Sequence, residues 1–448
     1  MNRSPISSVL LAALTACSTS TDAGSGNRPA KPESPPVSNP TPADDATHAQ
    51  TPPRPQSQPE IEPVSKEAAA AVFDDLNAFS VDFFARASGT DNAVLSPASV
   101  ALALGMVHAG AGGETADEIA RALHLSRPTA EVHGALATAL SRWNAEEQHY
   151  ELAVVNRLFG EKTVPFESGY LDLTGAVFGA PLEQTDFANS PDAARQRING
   201  WVEQQTHDRI KDLMPPGAVT PASRLVLVNA VYFKATWRDP FSESATRDQT
   251  FVAPSGAKKV PMMRKVGHYA HKKVPAAGLA VIHLPYDADG FEMVIVLPDD
   301  SKGLAAVEKA MSAEALASWL AEGDWPRVDL QLPRFKIEMP ESLRLSGILK
   351  AMGIERAFDH TLADFTKMAP AEAQLEISEG FHKAFIEVDE KGTEAAAATA
   401  LGMRAGAAPP TDEPIPFVAD HPFVYVIRDT KTGAILFLGR VVDPSAGT

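Results

Sequence analysis

The stretch EVDEKGTEAAAATALGMRAGAAPP, residues 387–410, lies between an apolar run, Phe381 to Val388, and a second apolar block, Pro422 to Val442. Two local readings of it compete. Composition favours a helix, because Thr393 can cap the run and Ala395 to Ala398 are the strongest helix formers. Alternation favours an extended chain. Thr393, Ala395, Ala397 and Thr399 alternate with Glu394, Ala396 and Ala398, and side chains of a strand alternate sides with period two. The first set is uniformly small, so that face fits a crowded sheet interior while the charge of Glu394 stays on the other. Gly392 just before the run frees the backbone to pivot. On this second reading the segment is a loop able to become a strand.

Outward from this stretch the chain divides by composition. Residues 1–17 have the form of a bacterial lipoprotein signal: Arg3 in the charged region, the apolar run Val9 to Leu14, then Leu14-Thr15-Ala16-Cys17. Cys17 is the only cysteine, so lipidation is expected there and neither disulfides nor thiol chemistry in the remainder. Residues 18–65 are rich in Pro, Ser, Thr and Ala and poor in large apolar groups, a composition expected to stay disordered. A flexible tether of about 48 residues spans roughly 40 Å on average. Residues 66–448 carry no second low-complexity break and are expected to form one domain. The localisation that follows is extracytoplasmic and lipid-anchored, at the outer membrane or cell surface.

The net charge of −17 argues against nucleic-acid binding, which needs a basic footprint, and no basic face stands out for a polyanion. There is no G-x-S-x-G elbow and no H-E-x-x-H helix, so a hydrolase reading lacks its machinery. His268 and His271 have metal-like spacing but fall in a loop-like stretch with no further ligand, and are read as a solvated surface pair. No metal or cofactor is expected.

Helical spacing marks Ala68 to Ala87, Ser99 to Ala109, Thr115 to Leu125 and Ala194 to Thr206. Strand-like runs follow at Leu225 to Phe233, Ala280 to Leu284, Glu292 to Leu297, Val328 to Gln331, Leu375 to Ile377, Phe381 to Val388, Phe423 to Arg428 and Ile435 to Val442. Early helices and late strands predict an α+β domain.

Residues 390–399, EKGTEAAAAT, resemble the hinge of the reactive-centre loop of the serpin family. Further segments resemble serpin signatures in serpin order: Asn92 to Ser99, Gly110 to Ile119, Ile198 to Val202, Leu227 to Lys234 with Trp237 and Phe241, Val260 to Met263, Leu332 to Lys336 and Asp420 to Phe423. The resemblance implies a fold of three β-sheets and about nine helices with an exposed reactive-centre loop. It implies inhibition of a serine protease, not catalysis, by a monomer: the protease cuts the loop, the hinge inserts as a strand, and the acyl-enzyme is trapped as a covalent complex. It places Ser96, Ser99, Asn229 and His382 in a polar cluster beneath the main sheet and Trp237 near the top, where insertion begins. The hinge residues it implies are Glu390, Gly392, Thr393, Glu394, Ala395, Ala396, Ala397, Ala398 and Thr399. Counting seventeen residues from Glu390 puts the cut bond at Gly406-Ala407, which suits elastase-like or subtilisin-like enzymes. Arg404-Ala405 is the alternative and suits a trypsin-like enzyme.

Overall fold

The computed structural model describes residues 64–145, 150–393 and 413–446. Residues 1–63, which hold the signal, Cys17 and all but the last two residues of the expected tether, and residues 394–412 lie outside them.

The first helix runs Lys66–Ala87. Ser65 sets its start by accepting a hydrogen bond from the Ala68 amide at 3.1 Å. Val72, Leu76, Phe79 and Phe83, three or four residues apart, are buried along one side. The second helix, Pro97–Gly110, is buried along most of its length, so it carries no polar face and runs through the core. Nine α-helices and three sheets make up the described residues, in agreement with the expected α+β architecture.

One sheet has six strands, in the order Ala93–Leu95, Ile435–Val441, Phe423–Asp429, Phe291–Pro298, Leu279–Pro285 and His271–Val274. A second has four, in the order Ile415–Val418, Arg327–Pro333, Gly256–His268 and Arg247–Ala253. The third and largest is ordered Phe335–Glu338, Ile377–Val388, Gly392–Thr393, Leu225–Thr236, Tyr150–Glu161 and Glu183–Thr185, with Leu343–Arg344 also on Ile377–Val388.

The Leu225–Thr236 strand is the axis of this largest sheet. Leu225, Leu227, Val231, Phe233 and Ala235 face the main core, while Val226, Val228, Ala230 and Tyr232 face a second core with Ile198 and Val202 of the helix Pro191–Gln205. A near-continuous apolar run is what a strand buried on both faces requires. Each buried Val, Leu or Phe among them contributes about 1.5–3 kcal/mol of burial.

Three expectations need correction. Tyr150–Glu161 is a twelve-residue strand that the sequence reading left out, and it breaks the simple order of helices before strands. Leu375 to Ile377 and Phe381 to Val388 are not two strands; Leu375 precedes a single strand, Ile377–Val388, which runs through Gly380. A Cβ at Gly380 would lie 3.1 Å from the Leu345 Cβ, so the glycine keeps the strand intact where Leu345 packs on it. The stretch around His268 and His271 is not loop-like: His268 closes one strand, His271 opens another, and His271 is buried. Among the described residues no group of three or more His, Cys, Asp or Glu is placed to hold a metal ion.

Candidate functional site

Two parallel strands, Leu225–Thr236 and Ile377–Val388, pair directly from Ile377 opposite Leu225 to Phe385 opposite Tyr232. Above that they part, and Gly392–Thr393 enters between them. Thr393 pairs with Val388 on one side and with Ala235 on the other, and Gly392 pairs with Thr236. Gly392 and Thr393, where the expected insertion face begins, are therefore strand; Ala395 to Ala398, on which the helix-or-strand question turns, lie outside the described residues. Residues 394–399 of the hinge, and Arg404, Ala405, Gly406 and Ala407, lie outside the described residues.

Gly392 owes its identity to close approach. A Cβ there would stand 2.0 Å from the Ala235 carbonyl oxygen, which no side chain tolerates. Thr393 is fully buried, and its hydroxyl shares a 2.6 Å hydrogen bond with the Tyr286 hydroxyl. Burial pushes the Tyr286 phenol far up, so it stays protonated. Trp237 stacks on Tyr286 with ring centroids 4.6 Å apart. Its indole N–H donates to the Asp389 carbonyl at 2.9 Å, and its amide donates to the Lys391 carbonyl at 2.8 Å. The tryptophan expected near the top of the sheet thus holds the turn Asp389 to Gly392, in which the expected hinge begins.

That turn is built by Asp389, whose carboxylate accepts from the amides of Lys391 at 2.8 Å and Gly392 at 3.2 Å. Glu390 is buried beside it, and Arg334 grips its carboxylate with Nη2 at 2.6 Å and Nε at 2.8 Å, with the Thr246 hydroxyl as a further donor. Burial works to raise the Glu390 pKa, but the hydrogen bonds from Arg334 and Thr246 and the Arg334 charge hold it below its ordinary value.

Lower in the same sheet lies the polar cluster. Asn156, Asn229 and His382 stand in register on three adjacent strands. Ser96 and Ser99 approach from the start of the Pro97–Gly110 helix. The Asn229 amide donates to the Ser99 hydroxyl at 2.5 Å and also to Asn156 Oδ1, and the Ser99 hydroxyl donates to Asn156 Oδ1 at 3.0 Å. His382 Nδ1 donates to Asn229 Oδ1, while its Nε2 accepts from the Ser96 amide at 3.2 Å. The Ser96 hydroxyl is turned away to the Leu436 carbonyl, 2.7 Å. Both ring nitrogens of His382 are thus satisfied in the neutral form, and burial pushes its pKa down to about 3.

All four expected cluster residues meet in this way, and Asn156 completes the network. Its signal was present in the sequence: Tyr150, Leu152, Val154, Asn156 and Leu158 alternate along one strand face, and Asn156 is the one amide among apolar groups. Tyr286 and Asp389 had no distinguishing local pattern, and Arg334 stood in a recognised motif without an assigned role.

A three-sheet α+β scaffold whose largest sheet admits the start of an additional strand is the class these features define. Residues 74–444 match the family described as Serpin (serine protease inhibitor). The chain is 37% identical over 386 residues to human Serpin B4, covering 82% of this chain and 97% of that protein. It is 37% identical over 376 residues to human leukocyte elastase inhibitor, covering 82% of this chain and 97% of the relative. Human thyroxine-binding globulin superposes with a TM-score of 0.76 at 29% identity over 84% of this chain and 99% of its own. Uncleaved ovalbumin does so with a TM-score of 0.75 at 29% identity over 83% and 100%. The chain belongs to the serpin family, whose members are protease inhibitors and not enzymes.

Proposed function

We propose that this protein inhibits a serine endopeptidase as a suicide substrate, its target being elastase-like or subtilisin-like and the cut bond Gly406-Ala407. The observation that carries the reading is the position of Gly392 and Thr393, paired on both sides between strands that separate just there. When a protease serine attacks the loop carbonyl, the carbonyl side becomes an ester on the enzyme and the amine side leaves. The freed hinge then extends the strand that Thr393 has begun. Roughly 15 residues at about 3.3 Å each carry the esterified end some 50 Å. The distortion this imposes on the protease leaves the ester unhydrolysed. The small residues Ala395, Ala397 and Thr399 permit that insertion, since neither proline nor a bulky charge interrupts them.

Arg404 supports a second reading, a trypsin-like target, because it is the only cation between Lys391 and Asp412. Cleavage there shortens the inserting segment by two residues. A third reading, a scaffold without inhibition, lacks the blocked hinge it would need.

The lipobox at Cys17 and the Pro-rich tether support a monomer anchored outside the cytoplasm. Mixing the protein with elastase, subtilisin and trypsin tests the inhibitory reading. A band surviving denaturation at the summed mass, with a released peptide beginning at Ala407, supports it; a peptide beginning at Ala405 moves the site to Arg404. Complete cleavage by all three without an adduct contradicts trapping.

A further inference from the structure

The strand Tyr150–Glu161 is paired on one side with Leu225–Thr236 from Tyr150 to Gly160, but on the other only from Phe159 to Glu161, with Glu183–Thr185. The parallel register of that short pairing, carried back, would bring Pro181 abreast of Arg157 and Ala180 abreast of Asn156. The pairing stops there because proline has no N–H to donate. Just before it, Gly179, at φ 61°, ends the helix Ser168–Phe178.

The peptide groups of the uncovered stretch have a defined direction. Glu161 donates its N–H to the Arg224 carbonyl at 2.8 Å, on the Leu225–Thr236 side, and Lys162 donates to the Thr185 carbonyl at 2.9 Å, on the other. Peptide groups alternate sides along a strand, and the register from Tyr150 to Gly160 is unbroken. Val154 and Asn156 therefore turn their N–H and carbonyl groups the same way as Lys162, to the open edge. Among the described residues no backbone group pairs with them there.

A cavity of about 210 Å³ lies along this edge. Its walls are Leu102 and Met106 from the main core, Trp201 from the second core, and Phe178 and Ala180 from the chain that leads into Glu183–Thr185. Gly179 and Gln205, which also line it, are exposed, so the cavity opens to solvent.

Two donors on wall residues lack acceptors. Asn156 is buried, and its Oδ1 accepts from Ser99 and Asn229 while its Nδ2 has no partner. The Arg157 guanidinium stacks 4.4 Å from the Trp201 ring centre and donates from Nη1 to Glu183 at 2.6 Å, while its Nε is buried without a partner. A buried donor without an acceptor is destabilising, so both positions favour an arriving oxygen. An open strand edge favours an arriving peptide backbone.

We infer that this slot binds a short free peptide, extended along the edge, with its backbone paired to Val154 and Asn156 and a carbonyl or carboxylate oxygen received by Arg157 and Asn156. Small or medium apolar side chains of the peptide meet Leu102, Met106 and Trp201. From Val154 to Arg157 the strand runs roughly 10 Å, the length of about three extended residues. A strand of a folded partner fits less well, because walls from both cores flank the edge where that strand's own neighbours would have to lie.

The probe is the free tripeptide Ala-Leu-Ala, with a copy methylated on its backbone nitrogens as the control that cannot donate. Added in excess to the full chain, the tripeptide is expected to slow hydrogen exchange at the Val154 and Asn156 amides about tenfold. Val155, whose amide faces the Leu225–Thr236 strand, is expected to stay unchanged, and the methylated copy to protect none of the three. Arg157→Lys keeps a charge beside Glu183 and removes the Nε donor, and is expected to weaken tripeptide binding about tenfold in calorimetry. Exchange in the wild-type chain decides the matter even where that variant fails to fold. No added protection at Val154 and Asn156, or equal protection by the methylated copy, overturns the site. Full protection before any peptide is added shows that the chain itself covers the edge and overturns it too. Protection confined to Ala235 and Thr236 places the peptide beside Thr393 and equally overturns the edge site.

Discussion

Tyr286 and Thr393 meet hydroxyl to hydroxyl at 2.6 Å, with neither side chain exposed to solvent. The bond joins a residue just beyond the six-stranded sheet to the hinge strand in the largest one. It fixes Gly392–Thr393 in a specific docked state.

Thr393→Val keeps the shape of that site and deletes the hydroxyl, leaving the Tyr286 phenol buried without its partner. An unpaired buried hydroxyl costs about 1–3 kcal/mol. The variant is expected to loosen the hinge, visible as faster proteolysis in residues 390–400 and a lower thermal midpoint. Thr393→Arg forces a charge into a fully buried position, and the account expects it to be cleaved as a substrate with no adduct. Undiminished trapping by the arginine variant would count against insertion at this point.

Gly392→Ala places a methyl group 2.0 Å from the Ala235 carbonyl oxygen. The backbone has to withdraw, carrying Thr393 out of the sheet. Amide hydrogen exchange at Ala235 and Thr236 is expected to accelerate, and the ratio of cleaved to trapped inhibitor to rise. Wild-type exchange in this variant would show that the close approach does not hold the hinge.

Glu390 predicts an acid sensitivity. Its pKa is lowered in the fold, so its contribution is present above the ordinary carboxylate value and is lost as pH falls through the lowered one. Arg334→Ala removes the main donor and should cost roughly 1 kcal/mol. That figure is at the low end because the Arg334 side chain is 41% exposed. Denaturant midpoints measured from pH 7 to pH 3 should converge for wild type and Arg334→Ala at the acid end; a constant gap would assign the pair no role in acid loss.

His382 acts over a wider window. Its pKa falls from 6.5 to about 3 on burial, so the unfolded chain binds the proton first. Stability is complete above pH 6.5 and declines steadily as pH drops towards 3. His382→Gln is expected to be less stable at neutral pH, where Asn229 and Ser96 lose well-placed partners, but to show a shallower decline between pH 6 and pH 4. An unchanged slope would mean that the acid loss arises elsewhere.

The helical spacing of Val72, Leu76, Phe79 and Phe83 and the apolar run at Leu225 fixed two central elements without help, because burial on one face or on both leaves a periodic trace. Tyr150–Glu161 escaped notice because Glu151 and Arg157 interrupt its apolar residues as they would a loop's. Its pairing with Leu225–Thr236 along its length, and with Glu183–Thr185 at its end, stabilises it as a strand. The meeting of Ser96, Ser99, Asn229 and His382 was legible through family resemblance alone, since nothing local brings together residues so far apart in the chain. The Tyr286 bond to Thr393 and the Arg334 grip on Glu390 were beyond reach for the same reason: they are created by packing between sheets. Thr393 is strand, as an extended segment requires and as a helix N-cap would also allow, and the alternating residues that separate the two readings, Ala395 to Thr399, lie outside the described residues.

The central claim is that the cut loop becomes a strand between Leu225–Thr236 and Ile377–Val388. Its most direct test is to nick the loop with a non-target protease and compare the thermal unfolding of nicked and intact protein. Insertion adds backbone hydrogen bonds and buried apolar area, so the nicked form is predicted to unfold at a clearly higher temperature. A nicked form that unfolds at the same or a lower temperature would contradict insertion.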